Sequence, residues 1–372
     1  MCNKNIKKLF EGITDSRIER TKLHSIESIL YVVLCGTMAG INTWIGFQDY
    51  AKEHEDTLKD WIDLSNGIPS HDTIARVISS LDTNEFQRCF DQFVKDFKDI
   101  ITPEKAEKIK TTAIDGKTIR GSGSQKNGQK NKHIVSAWSD GLKLCLGQVK
   151  TEEKSNEITA IPELLKKLDL KEQVVTIDAM GAQREICEQI LDQGGDYVIS
   201  LKGNQGTLHE NVKLFFKDKD AQITHEWEEW DKGHGRIEHR RCLVVHDVDF
   251  LKDHQWPGLQ SIACVLSKRQ TEKGTREDVR YYISSLKSDA ETIAHAARSH
   301  WGIENRLHWM LDVVFKEDAS TIKIDNAPVI LSIIRQWALN ILNQHKSTIS
   351  LKRTMQKIMM NPKRIVTILQ QL

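Results

Sequence analysis

Two short apolar stretches of the chain each run directly into an aspartate. Thr111–Ile114 precedes Asp115, and Val174–Ile177 precedes Asp178. Short runs of apolar and β-branched residues predict buried strands, and the helical periodicities between them predict helices that cover a sheet. The chain is therefore constrained to an α/β fold in which two acids lie where strands end.

Further strand-like runs extend this predicted sheet. His133–Ser139 and Lys143–Val149 flank a turn sequence at residues 139–141, and with Thr111–Ile114 they predict three adjacent antiparallel strands. Tyr197–Leu201 predicts another buried strand, and residues 225–286 form a separate β-rich stretch. The remaining periodicities predict helices over residues 158–168, 183–192, 208–216, 289–312 and 328–345.

The first 100 residues predict helices alone. Ser25 is a plausible N-cap for an apolar helix, and Ser70 or Asp72 would cap a helix directly after the turn at Gly67 and Pro69. A helix, a turn and a second helix with small polar residues at its start are compatible with a helix-turn-helix DNA reader. An ordinary helical hairpin fits the same pattern, so both interpretations remain open.

Charge is distributed unevenly although the sum is small. The 372 residues carry a net charge of +1, with 39% hydrophobic and 28% charged residues, which is typical of a globular protein. Gly116–His133 and Lys346–Leu372 contain several lysines or arginines and no acid. Such basic patches suit a phosphate backbone, and solvated surface charge is the alternative.

The cysteine pattern and the lengths of the apolar runs indicate in which cellular compartment the protein is found. Seven cysteines are scattered without a CxxC pair, which predicts reduced thiols and argues against a structural zinc site. No apolar run reaches the roughly 20 residues that span a bilayer, and the start of the chain lacks a signal-peptide core. We therefore expect a cytoplasmic protein that does not contact membranes.

A third acid, Glu304, lies on a largely apolar helix stripe. Ala297, Trp301, Leu307 and Leu311 share its face at 3.6 residues per turn. The simpler interpretations are that Asp115 and Asp178 are turn or cap residues, and that Glu304 pairs with a helical histidine or with Arg298.

Together the three acids predict a site for a shared divalent cation. Burial of several carboxylates is costly unless a partner offsets their charge. Oxygen ligands without a Cys or His pattern favour Mg²⁺ or Mn²⁺ over zinc, and two such ions suit phosphodiester displacement.

The chain resembles the H-repeat-associated insertion-sequence transposases, a branch of the DDE transposases with an RNase H-like catalytic domain. The resemblance covers most of the chain and depends on an ordered set of motifs. These are Asp15-Ser16-Arg17-Ile18-Glu19-Arg20, Gly67-Ile68-Pro69-Ser70-His71-Asp72, Ala113-Ile114-Asp115-Gly116-Lys117, Glu153-Lys154-Ser155-Asn156-Glu157-Ile158, Thr176-Ile177-Asp178-Ala179-Met180-Gly181, Leu201-Lys202-Gly203-Asn204-Gln205, Gly233-His234-Gly235-Arg236-Ile237-Glu238 and His300-Trp301-Gly302-Ile303-Glu304-Asn305.

The resemblance implies a fold and a role for each acid. We expect an RNase H-like mixed sheet flanked by helices, with Asp115 on its first strand, Asp178 on its fourth and Glu304 on a helix. The implied division is a helical, DNA-binding or associated domain over 1–100, a catalytic domain over 101–345 with a β-rich insertion at about 225–286, and a basic helical tail over 346–372. Double-stranded DNA, as element ends and target, is the implied partner, and a homodimer is implied because two ends must be cut together. A bacterial, nucleoid-associated location is implied in the same way.

The expected function is metal-dependent cleavage at element ends and transfer of the 3′-OH strand into target DNA. A DNA-binding regulator derived from a transposase, or a related metal nuclease, are the alternatives. Some relatives carry Tyr-x-x-Arg-x-x-x-Glu-x-x-x-x-x-x-Lys around the last acid, but this chain has Ala297, His300 and Leu311 at the matching Tyr, Arg and Lys positions. The candidate DNA contacts are Lys117, Arg120, Lys202, Asn204, Gln205, Arg236, Arg298 and His300. A plain β-to-α turn is the alternative for residues 202–205, and surface ion pairing is the alternative for Arg236.

Overall fold

The computed structural model describes residues 9–99, 101, 109–123, 128, 130–151, 157–233, 235–345 and 348–370. Several residues named above lie outside these ranges. They are residues 153–156 of one motif, His234 of another, and Lys346 at the start of the basic tail. Residues 124–127 and 129 of the basic loop after Asp115 also lie outside the described residues.

One mixed sheet organises the described chain. Its strands are β1 (Lys110–Ile119), β2 (Lys132–Ser139), β3 (Leu144–Lys150), β4 (Gln173–Ile177), β5 (Asp196–Leu201), β6 (His225–Gly233), β7 (Arg236–Val245), β8 (Ser261–Thr271) and β9 (Gly274–Ser284). Their spatial order is β3-β2-β1-β4-β5-β9-β8-β7-β6.

The first five strands form the predicted RNase H-like sheet. Strands β1, β2 and β3 are antiparallel neighbours, as the hairpin signals predicted, whereas β4 lies parallel to β1 and β5 parallel to β4. The central strands are apolar on both faces because helices cover them. The predicted fold class is therefore confirmed.

The β-rich stretch continues the same sheet. Strand β9 pairs antiparallel with β5, in the register Val198↔Ser284, and β8, β7 and β6 follow as an antiparallel meander. Because β9 pairs with β5, this insertion adds side chains to the edge of the sheet at which β4 and β5 end.

Helices cover the faces of the sheet and form the N-terminal region. They are α1 (Ile26–Met38), α2 (Trp44–Glu53), α3 (Glu55–Leu58), α4 (His71–Ser80), α5 (Thr83–Lys98), α6 (Glu157–Leu165), α7 (Arg184–Asp192), α8 (Gly206–Lys217), α9 (Ala290–Ser299), α10 (Ala327–Gln344), α11 (Leu351–Met360) and α12 (Lys363–Gln370). After α9 the chain stays helical, with π-type hydrogen bonds over Ile303–His308 and Met310–Val314. We call residues 303–314 the Glu304 segment.

The N-terminal helices share a core with the rest of the chain. The buried Trp337 ring of α10 packs against Phe10, Phe86, Phe90 and Phe93 with ring centroids 5.1–6.0 Å apart. Burial of aromatic rings at this density stabilises the arrangement strongly. The helical region is thus packed onto α10, and the predicted division at residue 100 remains a prediction.

The predicted helix starts are confirmed by their caps. The side chains of Ser25 and Ser70 accept hydrogen bonds from the backbone amides of Ser28 and Thr73. Residues 59–70 separate α3 from α4, a much longer connection than the three- or four-residue turn of a helix-turn-helix motif.

No helix in the described part of the chain has the length and apolar character needed to cross a membrane.

Candidate active site

The three predicted acids line one cleft of about 420 Å³. Its walls come from β1, β4, β5 and β9 of the sheet and from α9 with the Glu304 segment. Ligands of open α/β sheets bind beyond the carboxyl ends of the strands, and the cleft lies at that edge for β4 and β5. The fold therefore brings Asp115, Asp178 and Glu304 together from positions far apart in sequence.

Asp115 lies in the middle of its strand. The expectation that the strand ends at Asp115-Gly116 is wrong, because β1 continues to Ile119 and pairs with β2 throughout. Burial raises the pKa of Asp115 to about 7, and the negative charges of Glu157, Asp178 and Glu304 add to the rise. Ionising Asp115 therefore costs free energy in the folded protein, because the side chain is buried and other acids lie nearby.

Asp178 follows β4 and shapes the loop after it. Its Oδ1 accepts hydrogen bonds from the backbone amides of Met180 at 2.9 Å and Gly181 at 3.2 Å. This is the turn role that the simpler interpretation assigned to it. The loop holds Asp178 in the cleft, so the turn role and a role in the site coexist.

The motif after β5 braces this loop. The side-chain amide of Asn204 donates to the Ala179 carbonyl at 2.6 Å, and that of Gln205 donates to the Ala182 carbonyl at 2.6 Å. Asn204 and Gln205 thus position the loop that carries Asp178. Their predicted contact with DNA stays a prediction.

Glu304 lies at the exposed edge of the cleft. The protein atoms around it raise its pKa, while the charges of Arg280 and Lys202 act in the opposite direction. The alternative Glu–His pairing within the helix is not formed. His300 Nδ1 lies 3.3 Å from the Thr176 hydroxyl, and His308 contacts Asp115.

The Glu304 segment contacts β1 through two of its side chains, His308 and Asp312, which are four residues apart. His308 Nδ1 lies 3.5 Å from Asp115 Oδ2, and Asp312 Oδ1 lies 2.7 Å from the Lys117 ammonium. Glu304, His308 and Asp312 lie along one helix face, and Asp115 and Lys117 point to one side of the strand. These two contacts set where Glu304 stands relative to Asp115.

The Lys117 side chain is only 10% exposed and is surrounded by acids. Its ammonium lies 2.8 Å from Glu317 Oε2 and 3.3 Å from Asp318 Oδ1, besides the contact with Asp312. The carboxylates keep the pKa of Lys117 above its usual value despite burial. Three internal carboxylates therefore share this charge, and the predicted contact of Lys117 with phosphate stays a prediction.

The other predicted DNA contacts occupy different places. Lys202 and His300 line the cleft, and Arg298 is exposed on α9. Arg120 is 83% exposed, with its Nε 3.5 Å from Asp318 Oδ2. Arg236 starts β7 at the tip of a hairpin, where its Nε lies 2.8 Å from Glu238 Oε1, the surface pairing that was the alternative for it.

Arg280 is a cleft residue that the sequence interpretation missed. It projects from β9, with its guanidinium 4.4 Å from the Trp301 ring centroid and its Nε donating to Asp278 at 2.7 Å. The Trp301 and Trp309 side chains are 38% and 51% exposed. Only the pairing of β9 with β5 brings Arg280 to the acids, and no local sequence signal carries that pairing.

The donor chemistry of the cleft fits a hard divalent cation. Its acids offer carboxylate oxygens, which Mg²⁺ and Mn²⁺ prefer, and their mutual repulsion would fall on binding a cation. Among the described residues, however, no three His, Cys, Asp or Glu side chains lie close enough to hold a metal ion. The three acids thus share a cleft without converging on one coordination point.

Comparisons with known proteins agree with this architecture. A family model described as DDE_Tnp_1-associated matches residues 7–94, and one described as Transposase DDE domain matches residues 106–341. The putative transposase YncI of Escherichia coli O157:H7 is 40% identical over 361 positions, which cover 94% of this chain and 90% of that protein. The H repeat-associated putative transposase YhhI of Escherichia coli K12 is 40% identical over 381 positions, 98% of each chain.

A solved structure of a piggyBac transposase synaptic complex with hairpin DNA is also similar, with a TM-score of 0.46 and 13% identity. The match covers 98% of this chain and 81% of that one. The family model covers more than half of the chain and relatives align along almost all of it. This chain therefore belongs to the DDE transposases, within their H repeat-associated family.

Proposed function

We propose that this protein cuts DNA at the ends of a mobile element and joins the freed 3′-OH to target DNA, with Asp115, Asp178 and Glu304 as its catalytic acids. The single observation that carries the proposal is the convergence of these three acids on one cleft of a DDE transposase. Together they supply the carboxylates that this chemistry requires.

The cations of the cleft are proposed to hold the scissile phosphate. Lys202 and Arg280 lie close enough to Glu304 for their charges to oppose the rise in its pKa that burial causes, so a phosphate bound between them would face the acids. The Trp301 ring beneath the Arg280 guanidinium restricts its orientation. The acids would hold Mg²⁺ or Mn²⁺, expected as two ions, whose chemistry is to stabilise the entering and leaving oxygens of the displacement.

The wider DNA contacts are proposed in the same way. Arg120, Arg298, His300 and Arg236 are candidates for the flanking duplex, with Asn204 and Gln205 in the loop beside the cleft. The helical region up to residue 100 and the basic tail after 345 are proposed to add nonspecific or end-specific binding. A homodimer is proposed because both element ends must be cut together.

The test is an assay on labelled DNA that carries the sequences flanking the gene in its genome, with Mg²⁺ or Mn²⁺. Strand-transfer products support the proposal. Cleavage without joining would support a metal nuclease instead, and retardation without cleavage would support a DNA-binding regulator.

Neutral isosteres of the three acids test the site itself. Asp115→Asn, Asp178→Asn and Glu304→Gln should each remove cleavage and joining, by roughly 10³-fold or more, while DNA retardation remains. The matched control is Glu188→Gln, an exposed acid on α7. Full activity in any of the three variants would refute its assignment.

A further inference from the structure

Five arginines of the β-rich insertion lie on one side of its strands. Alternate residues of a strand point to the same side of a sheet, so Arg276 and Arg280 of β9 share a side with Arg269 of β8. The register of β7 with β8 adds Arg236 and Arg240 to that side. We call this side of β6–β9 the arginine face. Because Arg280 lines the cleft, the arginine face begins beside the acids and extends outward to the hairpin tip.

Glu238 holds three of these guanidinium groups together. Its carboxylate lies 2.8 Å from Arg236 Nε, 3.7 Å from Arg269 Nε, and in contact with the Arg240 guanidinium. The Glu238 side chain is only 14% exposed, whereas that of Arg269 is 53% exposed. Arg240 has Glu229 as a second partner, so three guanidinium groups share two carboxylates. Positive charge is therefore in excess here, and a largely buried acid orients the groups that carry it.

Arg276 continues this excess toward the cleft. It is exposed and lies directly across from Arg269. Within the described ranges, no carboxylate lies at ion-pair distance from its guanidinium group. Arg280 is four residues farther along β9, or ~13 Å away at ~3.3 Å per residue. This is close to the ~12 Å width of the major groove of DNA, so a duplex with one phosphate at Arg280 can place another at Arg276.

The arginine face separates its charges, whereas the opposite face pairs them. Glu229 and Asp231 are on β6, the outermost strand, while the arginines are on β7, β8 and β9. The remaining acids, Glu238 and Asp278, both contact arginines. The cross-strand ion pairs of the opposite face are Glu226–Arg241, Glu228–His239 and Lys268–Glu277. A phosphate backbone binds where positive charge is uncompensated, so the distribution of charge favours the arginine face.

We infer that the arginine face binds the backbone of the DNA duplex that flanks the cleavage point, and that Glu238 is a positioning residue for its arginines. The convergence of three guanidinium groups on one largely buried carboxylate, on the face that carries Arg280, supports this inference. It rests on the proposed function, because it assumes that the cleft holds a DNA end. It deepens that function by giving the path of the duplex beyond the cleft, and it gives the motif at residues 233–238 a role.

The test compares two neighbouring residues of β8 that point to opposite faces. Arg269→Gln and Lys268→Gln remove the same charge, so long-range attraction to DNA falls equally in both. Fluorescence anisotropy measures how the full-length protein binds a labelled duplex that carries the sequences flanking the gene, in EDTA and at several salt concentrations. Arg269→Gln should weaken binding by roughly 5-fold or more and lower the salt slope by about 1, whereas Lys268→Gln should change the affinity by less than about 2-fold. Equal losses in the two variants would overturn the inference.

The role of Glu238 predicts a change of sign. Glu238→Gln and Glu277→Gln each remove one negative charge from this part of the sheet, the first on the arginine face and the second on the opposite face. If Glu238 only offset charge, both variants would bind DNA more tightly. A positioning role predicts that Glu238→Gln weakens binding by roughly 3-fold or more, because the three guanidinium groups lose their shared partner. Tighter binding by both variants would refute the positioning role.

A photo-crosslinking amino acid locates the DNA directly. Thr271, across from Arg236, is on the arginine face, and Gln270 is on the opposite face. We expect crosslinks to the duplex outside the cleavage point from position 271 and not from position 270. Crosslinks from position 271 to a second protein chain instead of DNA would make this face a protein interface and would overturn the inference.

Failure of this inference is distinguishable from failure of the proposed function. If the wild type cleaves and joins element ends while Arg269→Gln binds them as Lys268→Gln does, only the path along the arginine face is refuted. If the wild type neither retards nor cuts the element ends, both proposals fall.

Discussion

Strand β1 carries two ionic clusters only two residues apart, and they are built in opposite ways. Around Lys117, two cations face three carboxylates: Lys117 and Arg335 against Asp312, Glu317 and Asp318. Around Asp115, the neighbours are three further acids and the buried His308, with the cations only at the cleft edge.

The difference shows in how burial acts on each carboxyl group. Glu317 is only 1% exposed, yet its pKa is below the usual range, because the charges of Lys117 and Arg335 outweigh the burial that would raise it. Asp115 is less buried, and its pKa rises to about 7. In the Lys117 cluster the carboxylates and cations offset each other's cost of burial. In the Asp115 cluster that cost is not offset by the protein, and binding a cation would lower it.

The largest effect is expected from breaking the compensated cluster. Glu317→Gln should destabilise the protein by about 3–5 kcal/mol, because it leaves Lys117 and Arg335 buried without their shared carboxylate. Urea unfolding of the full chain measures this. The matched exposed pair, Glu163→Gln beside Lys166, should cost no more than about 0.5 kcal/mol. Similar costs for the two variants would break the contrast between the clusters.

The uncompensated cluster should respond in the opposite direction. Asp115→Asn should stabilise the metal-free protein at pH 8 by about 1–4 kcal/mol, since each unit of pKa shift is worth about 1.4 kcal/mol. The same variant should lose activity. Urea unfolding in EDTA gives the stability, with Glu188→Gln as control. A destabilised Asp115→Asn would mean that Asp115 is a structural acid.

The pH dependence sharpens this contrast. The pKa of Asp115 is about 7 in the folded state against an ordinary 3.8, so its charge costs stability above pH 7, and the cost disappears as pH falls toward 3.8. The stability advantage of Asp115→Asn over the wild type should therefore shrink between pH 7 and 4. Burial lowers the pKa of His308 to about 4, so its protonation also makes both proteins less stable as the pH falls from 6.5 toward 4. A pH-independent difference would contradict the shifted pKa.

The sequence predicted the central strands and two of the acids because their signals are local. An apolar run that ends in an acid is visible without knowing what packs against it. The prediction of Lys117 as a phosphate contact could not take account of its partner Glu317, which lies 200 positions away. Arg280 was missed for the same reason, since only the pairing of β9 with β5 brings it to the cleft.

The smallest effect is expected at the residue that joins the two clusters. Asp312→Asn weakens the contact of the Glu304 segment with Lys117, which retains Glu317 and Asp318. Burial raises the pKa of Asp312 although Lys117 opposes the rise, and the side chain is one-third exposed, so we expect stability to change by no more than about 1 kcal/mol. Looser docking should still displace Glu304, so the cleavage rate should fall by roughly 10-fold while DNA retardation is unchanged. Asp325→Asn, an exposed acid beyond the segment, is the control. Equal losses of rate and DNA binding would mean that the contact supports the fold in general and does not position Glu304.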